Sequence, residues 1–150
     1  MALIVFPTNI TKFTTMTDRP AAFSVMDDIL QRDMSLYYEA VLLAEQSGYT
    51  TRVGCIAAKG NKVIGGAFNT VRNSGKNVPH EHATFHAETN VLRMLPKPDR
   101  VTLYIARIGR TETFLASRPC NRCMKAIREF GIREIVYVNY HQRIVKELLC

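Results

Sequence analysis

Apolar and polar positions in the first half of the chain follow two different periods. Residues 34–46 carry apolar side chains three and four positions apart, which predicts a helix that ends at Ser47-Gly48. Residues 52–58 and 62–68 are strand-like runs on either side of Lys59-Gly60-Asn61, which predicts two strands joined by a tight turn. This half of the chain therefore predicts a helix followed by a β-hairpin.

The second half alternates helical and extended patterns. Residues 86–95 have apolar positions at helical spacing and are stopped by Pro96. A further helix is expected to have Pro119 in its first turn and to end at Gly131. Strands are expected at residues 101–107 and 133–139, and a short final helix at about residues 142–149.

This order of elements predicts an α/β fold, a three-layer α/β/α sandwich with a mixed central sheet. The hairpin would supply an antiparallel edge, and the later strands would run parallel through right-handed helical crossovers. Residues 1–22 are rich in threonine and contain Pro7 and Pro20, so an irregular N-terminal arm is expected there. The remaining residues, 23–150, are expected to form a single domain.

Two short segments carry the candidate chemistry. His86-Ala87-Glu88 opens one predicted helix, and Pro119-Cys120-Asn121-Arg122-Cys123 opens another. His86, Cys120 and Cys123 offer one nitrogen and two thiolates, a set that zinc prefers, and three protein ligands leave a fourth position for water. Glu88 is the candidate general acid/base that takes a proton from this water and passes it to a leaving group.

Other interpretations of the cysteine pair stay open. Cys55 or Cys150 could supply a fourth ligand and close a structural zinc site, or Cys120 and Cys123 could form a redox pair. A redox pair gives no reason for a His-x-Glu segment at the start of another helix. Cys55 lies in an apolar strand, where a buried structural thiol is the ordinary case. The motif therefore favours a catalytic zinc.

These segments resemble the cytidine/deoxycytidylate deaminase superfamily, over about residues 49–140. H-x-E followed by P-C-x-x-C is the zinc signature of the nucleobase deaminases. Residues 86–90 look like the H-A-E-x-N element of the deoxycytidylate-type members, and residues 119–137 look like their cysteine helix and next strand. Arg122 departs from the methionine usual in tRNA adenosine deaminases, and residues 105–117 form a longer link than in compact members. The resemblance implies a cytidine deaminase-like fold, a zinc cofactor and a homo-oligomer.

The resemblance also implies contacts to a substrate. Asn69 stands where the family has an asparagine that hydrogen-bonds the sugar, although an asparagine at a strand end also suits an ordinary turn. The main chain of Ala87 and the main chain near Ser117 would hold the edge of the base. Aromatic side chains that could form walls of the pocket, or belong to the plain core, are Phe68, Phe85 and Tyr104.

A long polar loop joins Asn69 to the His86 helix. In it, Arg72 and Lys76 would suit a 5′-phosphate, and solvated loop charges are the alternative. His80 and His82 could belong to a second metal site, but its further ligands are not evident. The net charge of +7 and the pI of about 9.5 favour anionic ligands.

Composition excludes several classes of protein. With 47% hydrophobic and 22% charged residues, the 150-residue chain is expected to be globular rather than disordered or fibrous. No apolar run approaches the length of a membrane span, and the run at residues 2–6 is too short for a signal peptide. Four cysteines, two of them in the metal motif, do not form a disulfide framework, so a cytoplasmic location is expected.

The leading hypothesis is zinc-dependent hydrolytic deamination of a cytosine nucleotide or nucleoside, with dCMP or CMP as the favoured substrate. The first alternative is a base deaminase that acts on tRNA or single-stranded DNA. Basic residues around the cysteine helix would suit it, but Phe114 is the only aromatic residue in the preceding loop. The second alternative is a non-catalytic zinc-binding protein. The expected partner is a small nucleotide, without membrane contact.

Overall fold

The structure, a computed structural model, describes residues 3–6, 27–71, 84–96, 99–111 and 113–149 of the chain. Its elements are β1 (Leu3–Phe6), α1 (Asp27–Glu45), β2 (Arg52–Lys59), β3 (Lys62–Phe68), β4 (Thr70–Val71), β5 (Thr84–Phe85), α2 (Ala87–Met94), β6 (Val101–Ile108), β7 (Phe114–Leu115), α3 (Asn121–Phe130), β8 (Glu134–Val138) and β9 (Ile144–Leu148). Among these helices, none is both long and apolar enough to span a membrane.

Within the described residues, seven strands form one mixed sheet. Their order is β1-β9-β8-β6-β2-β3, with β7 paired to β6, while β4 and β5 form a small sheet of their own. β2 runs antiparallel to both β3 and β6, and β9 runs antiparallel to both β8 and β1. Among the described strands, only β6 and β8 pair in parallel, through the crossover that contains α3. The mixed sheet and the parallel pairing of the two later predicted strands are confirmed. The strands β1, β7 and β9, which were not predicted, all pair antiparallel.

Helices cover both faces of this sheet. Cys55 and Ala57 of β2 pack into a core with α2 and α3, whereas Ile56 and Ala58 pack into a second core with α1. Successive residues of a strand point to opposite faces, so a continuous apolar run is what a doubly covered strand requires. The predicted three-layer α/β/α sandwich is therefore confirmed.

The close packing of α1 on β2 depends on Gly54. A Cβ atom at this position would lie 2.1 Å from the main-chain oxygen of Ala40 and 2.5 Å from the main-chain nitrogen of Ala44. Only glycine lets the backbones of helix and strand approach so closely. The predicted hairpin of residues 52–58 and 62–68 is confirmed, with β2 extended to Lys59.

The predicted final helix at residues 142–149 is wrong. Residues 144–148 form the strand β9, which lies between β8 and β1. Apolar residues at positions 144, 145, 148 and 149 fit a helix as well as a strand buried on both faces. The β-branched pair Ile144-Val145 and the open edge of β8 favour the strand.

The prediction of an irregular arm is wrong for Leu3–Phe6. These residues form β1, which pairs antiparallel with β9 and places Leu3 opposite Glu147. The four-residue apolar run finds its hydrogen bonds in a distant part of the chain, so no local signal predicts it. The rest of the expected arm lies outside the described residues.

Candidate metal centre

The candidate site lies where the N-termini of α2 and α3 meet on one face of the sheet. His86 is the N-cap of α2 and Cys120 is the N-cap of α3, each with an extended backbone conformation. The sequence predicts helices that open at His86 and at Pro119, so α2 starts one residue later and α3 two residues later than predicted, and Pro119 precedes the cap. Gly131 ends α3 in the left-handed conformation with φ of 100°, as expected for a helix C-terminus.

His86, Cys120 and Cys123 come together at this junction. His86 Nδ1 lies 3.2 Å from Cys123 Sγ and 3.8 Å from Cys120 Sγ, and all three donor atoms lie within 4.8 Å of one another. The main-chain N–H of Cys123 donates a hydrogen bond to Cys120 Sγ at 3.5 Å. Cys120 is exposed, while Cys123 is buried.

This donor set fits zinc. Tetrahedral zinc at about 2.0–2.1 Å from nitrogen and 2.3 Å from sulfur requires nitrogen–sulfur separations of about 3.6 Å, and the observed values lie on either side of this distance. Among the described residues, no fourth histidine, cysteine or carboxylate joins the group. Cys55 stays outside it and is fully buried in β2. Three protein ligands leave one position free, which is typical of a catalytic site.

Several groups that become negative on ionisation lie close together at the site. Burial raises the pKa of the Cys123 thiol, and the nearby Glu88 carboxylate raises it further. Burial likewise raises the pKa of Cys55, followed by the effects of Glu88 and Cys123. Without a cation these groups oppose one another's ionisation, and a divalent metal ion would supply the missing positive charge.

Glu88 is buried in the first turn of α2, two residues after His86. Burial raises the pKa of its carboxyl group, and a hydrogen bond from its own backbone N–H and the nearby His86 act in the opposite direction. The positive end of the helix also favours the ionised form. These opposing effects are what a group needs when it must both accept and release a proton.

Two residues at predicted substrate contacts, Asn69 and Ser117, already form hydrogen bonds within the protein. The side chain of Asn69 accepts a hydrogen bond from the N–H of Val53 at 2.9 Å and donates one to the oxygen of Thr51 at 2.8 Å. The hydroxyl of Ser117 donates to the oxygen of Ile105 at 2.7 Å and accepts from the N–H of Val138 at 2.9 Å. Both side chains thus hold the framework of the site. The contact of Asn69 with a sugar and that of the main chain near Ser117 with a base stay predictions.

The aromatic candidates separate into two groups. Phe85 is half-buried in β5, next to His86, and the guanidinium of Arg93 lies 4.9 Å from the centre of its ring. Tyr104 belongs to the plain core, the alternative left open for it: it packs in the α1 core and donates a hydrogen bond to Asp33 on the opposite face of the sheet. Ala87 is fully buried at the first position of α2. The polar-loop candidates Arg72, Lys76, His80 and His82 lie outside the described residues.

Sequence reasoning missed an exposed aromatic residue at the same end of the sheet as the site. Tyr140 is 88% exposed in the turn between β8 and β9. The side-chain oxygen of Asn139 accepts hydrogen bonds from the N–H groups of His141 and Arg143, each at 3.0 Å, and so holds this turn. The turn follows the carboxyl end of β8, at the same end of the sheet where α3 begins. In the sequence, Tyr140 stands between the predicted strand at residues 133–139 and the predicted helix at about residues 142–149, and its exposure has no local signal.

Comparison with known proteins agrees with this geometry. Residues 30–139 match the model of the family described as the cytidine and deoxycytidylate deaminase zinc-binding region. The chain is 23% identical, over 121 residues, to a probable cytosine deaminase of Schizosaccharomyces pombe, covering 79% of this chain and 67% of the relative. The resemblance inferred from the two motifs is thereby confirmed. The zinc cofactor is confirmed by the family match together with the donor set.

Solved structures show the same fold. A dCMP deaminase of cyanophage S-TIM5 in its apo form has a TM-score of 0.53 and 20% identity, over 70% of this chain and 80% of that one. The structure of the dCMP deaminase from the same phage in complex with dCMP and dUMP has a TM-score of 0.50 and 17% identity, over 75% of this chain and 82% of that one. These similarities support the cytidine deaminase-like architecture.

Proposed function

The chain belongs to the cytidine and deoxycytidylate deaminase family, and we propose that it converts dCMP or CMP to dUMP or UMP and ammonia. Membership of this family supports deamination of cytosine. The observation that carries this proposal is the convergence of His86, Cys120 and Cys123 beside the buried Glu88. The three residues are the proposed zinc ligands, and Glu88 is the proposed catalytic residue.

When bound, zinc would supply a Lewis acid that lowers the pKa of water at this site. Glu88 takes a proton from the attacking water and delivers it to the amine that leaves C4 of the cytosine ring. One water is consumed and one ammonia is released, so the carboxyl group returns to its starting state. The buried position of Glu88 raises its pKa, which suits both transfers.

A nucleotide is the proposed substrate for two reasons. One solved structure with this fold is described as a complex with dCMP and dUMP. The net charge of +7 also favours an anionic ligand over a neutral base or nucleoside. In this proposal Arg72 and Lys76 bind the 5′-phosphate. Asn69 hydrogen-bonds the sugar, and Phe85 forms a wall of the pocket. The main chain of Ala87 and the main chain near Ser117 hold the edge of the base.

A substrate panel tests the proposal. Zinc-loaded protein is incubated with dCMP, CMP, deoxycytidine, cytidine, cytosine, single-stranded DNA and tRNA, and ammonia release is measured. The Glu88→Gln variant at equal zinc content is the matched blank. We expect the highest kcat/KM with dCMP or CMP. A higher value with cytosine or a nucleoside would contradict the nucleotide assignment, and zinc binding without any turnover would favour the non-catalytic alternative.

One observation favours a base within a nucleic acid as the second candidate substrate. Tyr140 and Arg143 are exposed in the turn between β8 and β9, and the exposed side chains of Arg122, Lys125 and Arg128 follow Cys120 on α3. An exposed aromatic ring beside cations is typical of single-strand binding surfaces. Tyr140→Ala should then lower kcat/KM on single-stranded DNA or tRNA while leaving dCMP unchanged. The homo-oligomer and the cytoplasmic location stay predictions.

A further inference from the structure

The loop that leads into Cys120 is tied to a distant strand. Arg118 Nη2 lies 3.2 Å from Glu147 Oε1, although the two residues are 29 positions apart. The side chain of Glu147 is fully buried, and that of Arg118 is 36% exposed. Arg118 stands two residues before Cys120, so this ion pair connects β9 to the segment that presents a proposed metal ligand.

Glu147 belongs to the same side of the sheet as the metal centre. Its neighbour Val145 packs in the core of α2 and α3, and alternation along β9 puts Glu147 on that side as well. Tyr137 lies beside both residues: burial raises the pKa of its hydroxyl, the charge of Glu147 raises it further, and a hydrogen bond with Arg118 lowers it. Glu147 is therefore a buried carboxylate whose charge is balanced by one partly exposed arginine.

This ion pair is poorly explained by stability alone. The second oxygen of Glu147, Oε2, is buried without a hydrogen-bond partner among the described residues. A buried carboxylate with an unsatisfied oxygen costs free energy, and apolar residues often replace buried ion pairs without loss of stability. A buried unsatisfied group in a native protein calls for a specific reason.

The neighbouring residues of the loop are held as well. The N–H of Ser117 donates to the oxygen of Val138 at 2.8 Å, and its hydroxyl bonds both β6 and β8. Pro119 is buried and its ring fixes φ. Cys120 itself is exposed. Three consecutive residues thus fix the loop on β6, β8 and β9 immediately before the exposed cysteine.

We propose that the Arg118–Glu147 ion pair is a positioning device that holds the Cys120 loop in the geometry needed to bind zinc. Arg118 and Glu147 are positioning residues that act through Cys120 and do not touch the substrate. The inference rests on the proposed metal centre and is independent of which cytosine compound the protein deaminates. A ligand held in place before the metal arrives loses less conformational freedom on binding, so the metal is held more tightly.

The test separates positioning from stability. Arg118→Met leaves Glu147 buried without a cation, whereas the double variant Arg118→Met/Glu147→Met removes both charges. The zinc Kd is measured by competition with a chromophoric chelator, and urea unfolding is measured on the zinc-free proteins. We expect the double variant to unfold at about the same urea concentration as the wild type but to bind zinc roughly 10- to 100-fold more weakly. Wild-type zinc affinity in this variant would overturn the proposal.

Two further variants complete the design. Arg118→Lys keeps a cation near Glu147 and should recover most of the zinc affinity lost in Arg118→Met, which makes the test valid even if the double variant does not fold. Asp33→Leu/Lys146→Met removes the buried ion pair on the opposite face and should leave the zinc Kd unchanged. An equal loss of affinity in this control would show a general effect of stability and overturn the proposal.

Failure of the positioning role and failure of the proposed function give different results. A wild-type protein that does not bind zinc contradicts the metal centre and the positioning role together. Tight zinc binding without ammonia release contradicts the deaminase function, while the difference in zinc Kd between wild type and double variant still decides the role of the ion pair.

Discussion

The two sides of the central sheet bury carboxylates in different ways. On the α1 side, Asp33 uses both oxygens: the hydroxyl of Tyr104 donates to Oδ1, and Lys146 Nζ lies 2.8 Å from Oδ2. On the side of α2 and α3, Glu88 and Glu147 are also buried. Burial raises the pKa of Glu88, and Oε2 of Glu147 has no partner among the described residues.

This difference distinguishes a buried carboxylate that stabilises the fold from buried carboxylates that serve the proposed metal centre. A carboxylate with both oxygens bonded helps to fix α1 against β6 and β9. A carboxylate that is buried and only partly satisfied is costly, and such groups cluster at functional sites. The consecutive residues Lys146 and Glu147 of β9 serve the two sides, one with Asp33 and the other with Arg118.

The largest expected effect comes from removing a proposed zinc ligand on the side of α2 and α3. Cys123→Ala should lose the metal and reduce ammonia release to background, because two remaining ligands bind zinc poorly. Zinc content of the purified protein and activity are measured together. Cys55→Ala, which removes another buried thiol from the same side, should retain the metal. A variant at position 123 with a full equivalent of zinc would contradict the ligand assignment.

Glu88→Gln should lower kcat by roughly 10²- to 10⁴-fold, the usual contribution of a general acid/base, while zinc content stays unchanged. The amide keeps the shape of the side chain but cannot move protons. Steady-state ammonia release and zinc content check the prediction. If the variant retains wild-type kcat, Glu88 has no catalytic role and its burial needs another explanation.

Lys146→Met tests the opposite side of the sheet. The substitution leaves Asp33 buried without its cation, and we expect a loss of about 3–5 kcal/mol in the free energy of unfolding. Chemical denaturation of the zinc-free protein measures this loss. The zinc Kd of the folded variant should equal that of the wild type. A weakened metal site here would show that the two sides of the sheet are not independent.

Arg72→Ala removes a proposed contact with the substrate, which should change catalysis without affecting the fold. We expect kcat/KM with dCMP to fall by roughly 10- to 100-fold, which corresponds to the loss of a charge-assisted bond of about 1.5–3 kcal/mol. The value with deoxycytidine should hardly change. Equal losses with both substrates would indicate a structural arginine and remove the phosphate assignment.

The smallest effect is expected for an exposed ion pair that belongs to neither side. Lys59 Nζ lies 3.1 Å from the carboxylate of Asp99, and both side chains are mostly exposed. Asp99→Asn should change the free energy of unfolding by no more than about 1 kcal/mol, with a smaller change at high salt. A loss comparable to that of Lys146→Met would contradict the view that burial decides the strength of these pairs.

The sequence predicts the metal centre well because its residues stand in two short motifs. His86 and Glu88 are two residues apart, and Cys120 and Cys123 are one helical turn apart, so local spacing almost fixes their placement. The hairpin of β2 and β3 is equally local. Only the convergence of the two helix N-termini depends on the fold, and the resemblance to a known family predicts this convergence.

The features that sequence reasoning missed depend on distant contacts. The apolar pattern of residues 144–149 suits a helix and a strand, and only the open edge of β8 decides between them. The same pairing creates β1 and the contact of Glu147 with Arg118, neither of which has a local signature. Asn69 was interpreted from its family position or as an ordinary turn residue, and its bonds to Thr51 and Val53 appear only once the chain is folded.

The pairing of β1 with β9 sets the order in which the molecule can be completed during synthesis. Among the described elements, the ribosome makes β1 first and its partner strand β9 last. Contacts between such distant segments form slowly, and an unpaired strand is exposed until they form. Glu147 also lies on this last strand, so a nascent chain already carries His86, Cys120 and Cys123 before Arg118 has its partner. Tight retention of zinc would then mark the end of folding.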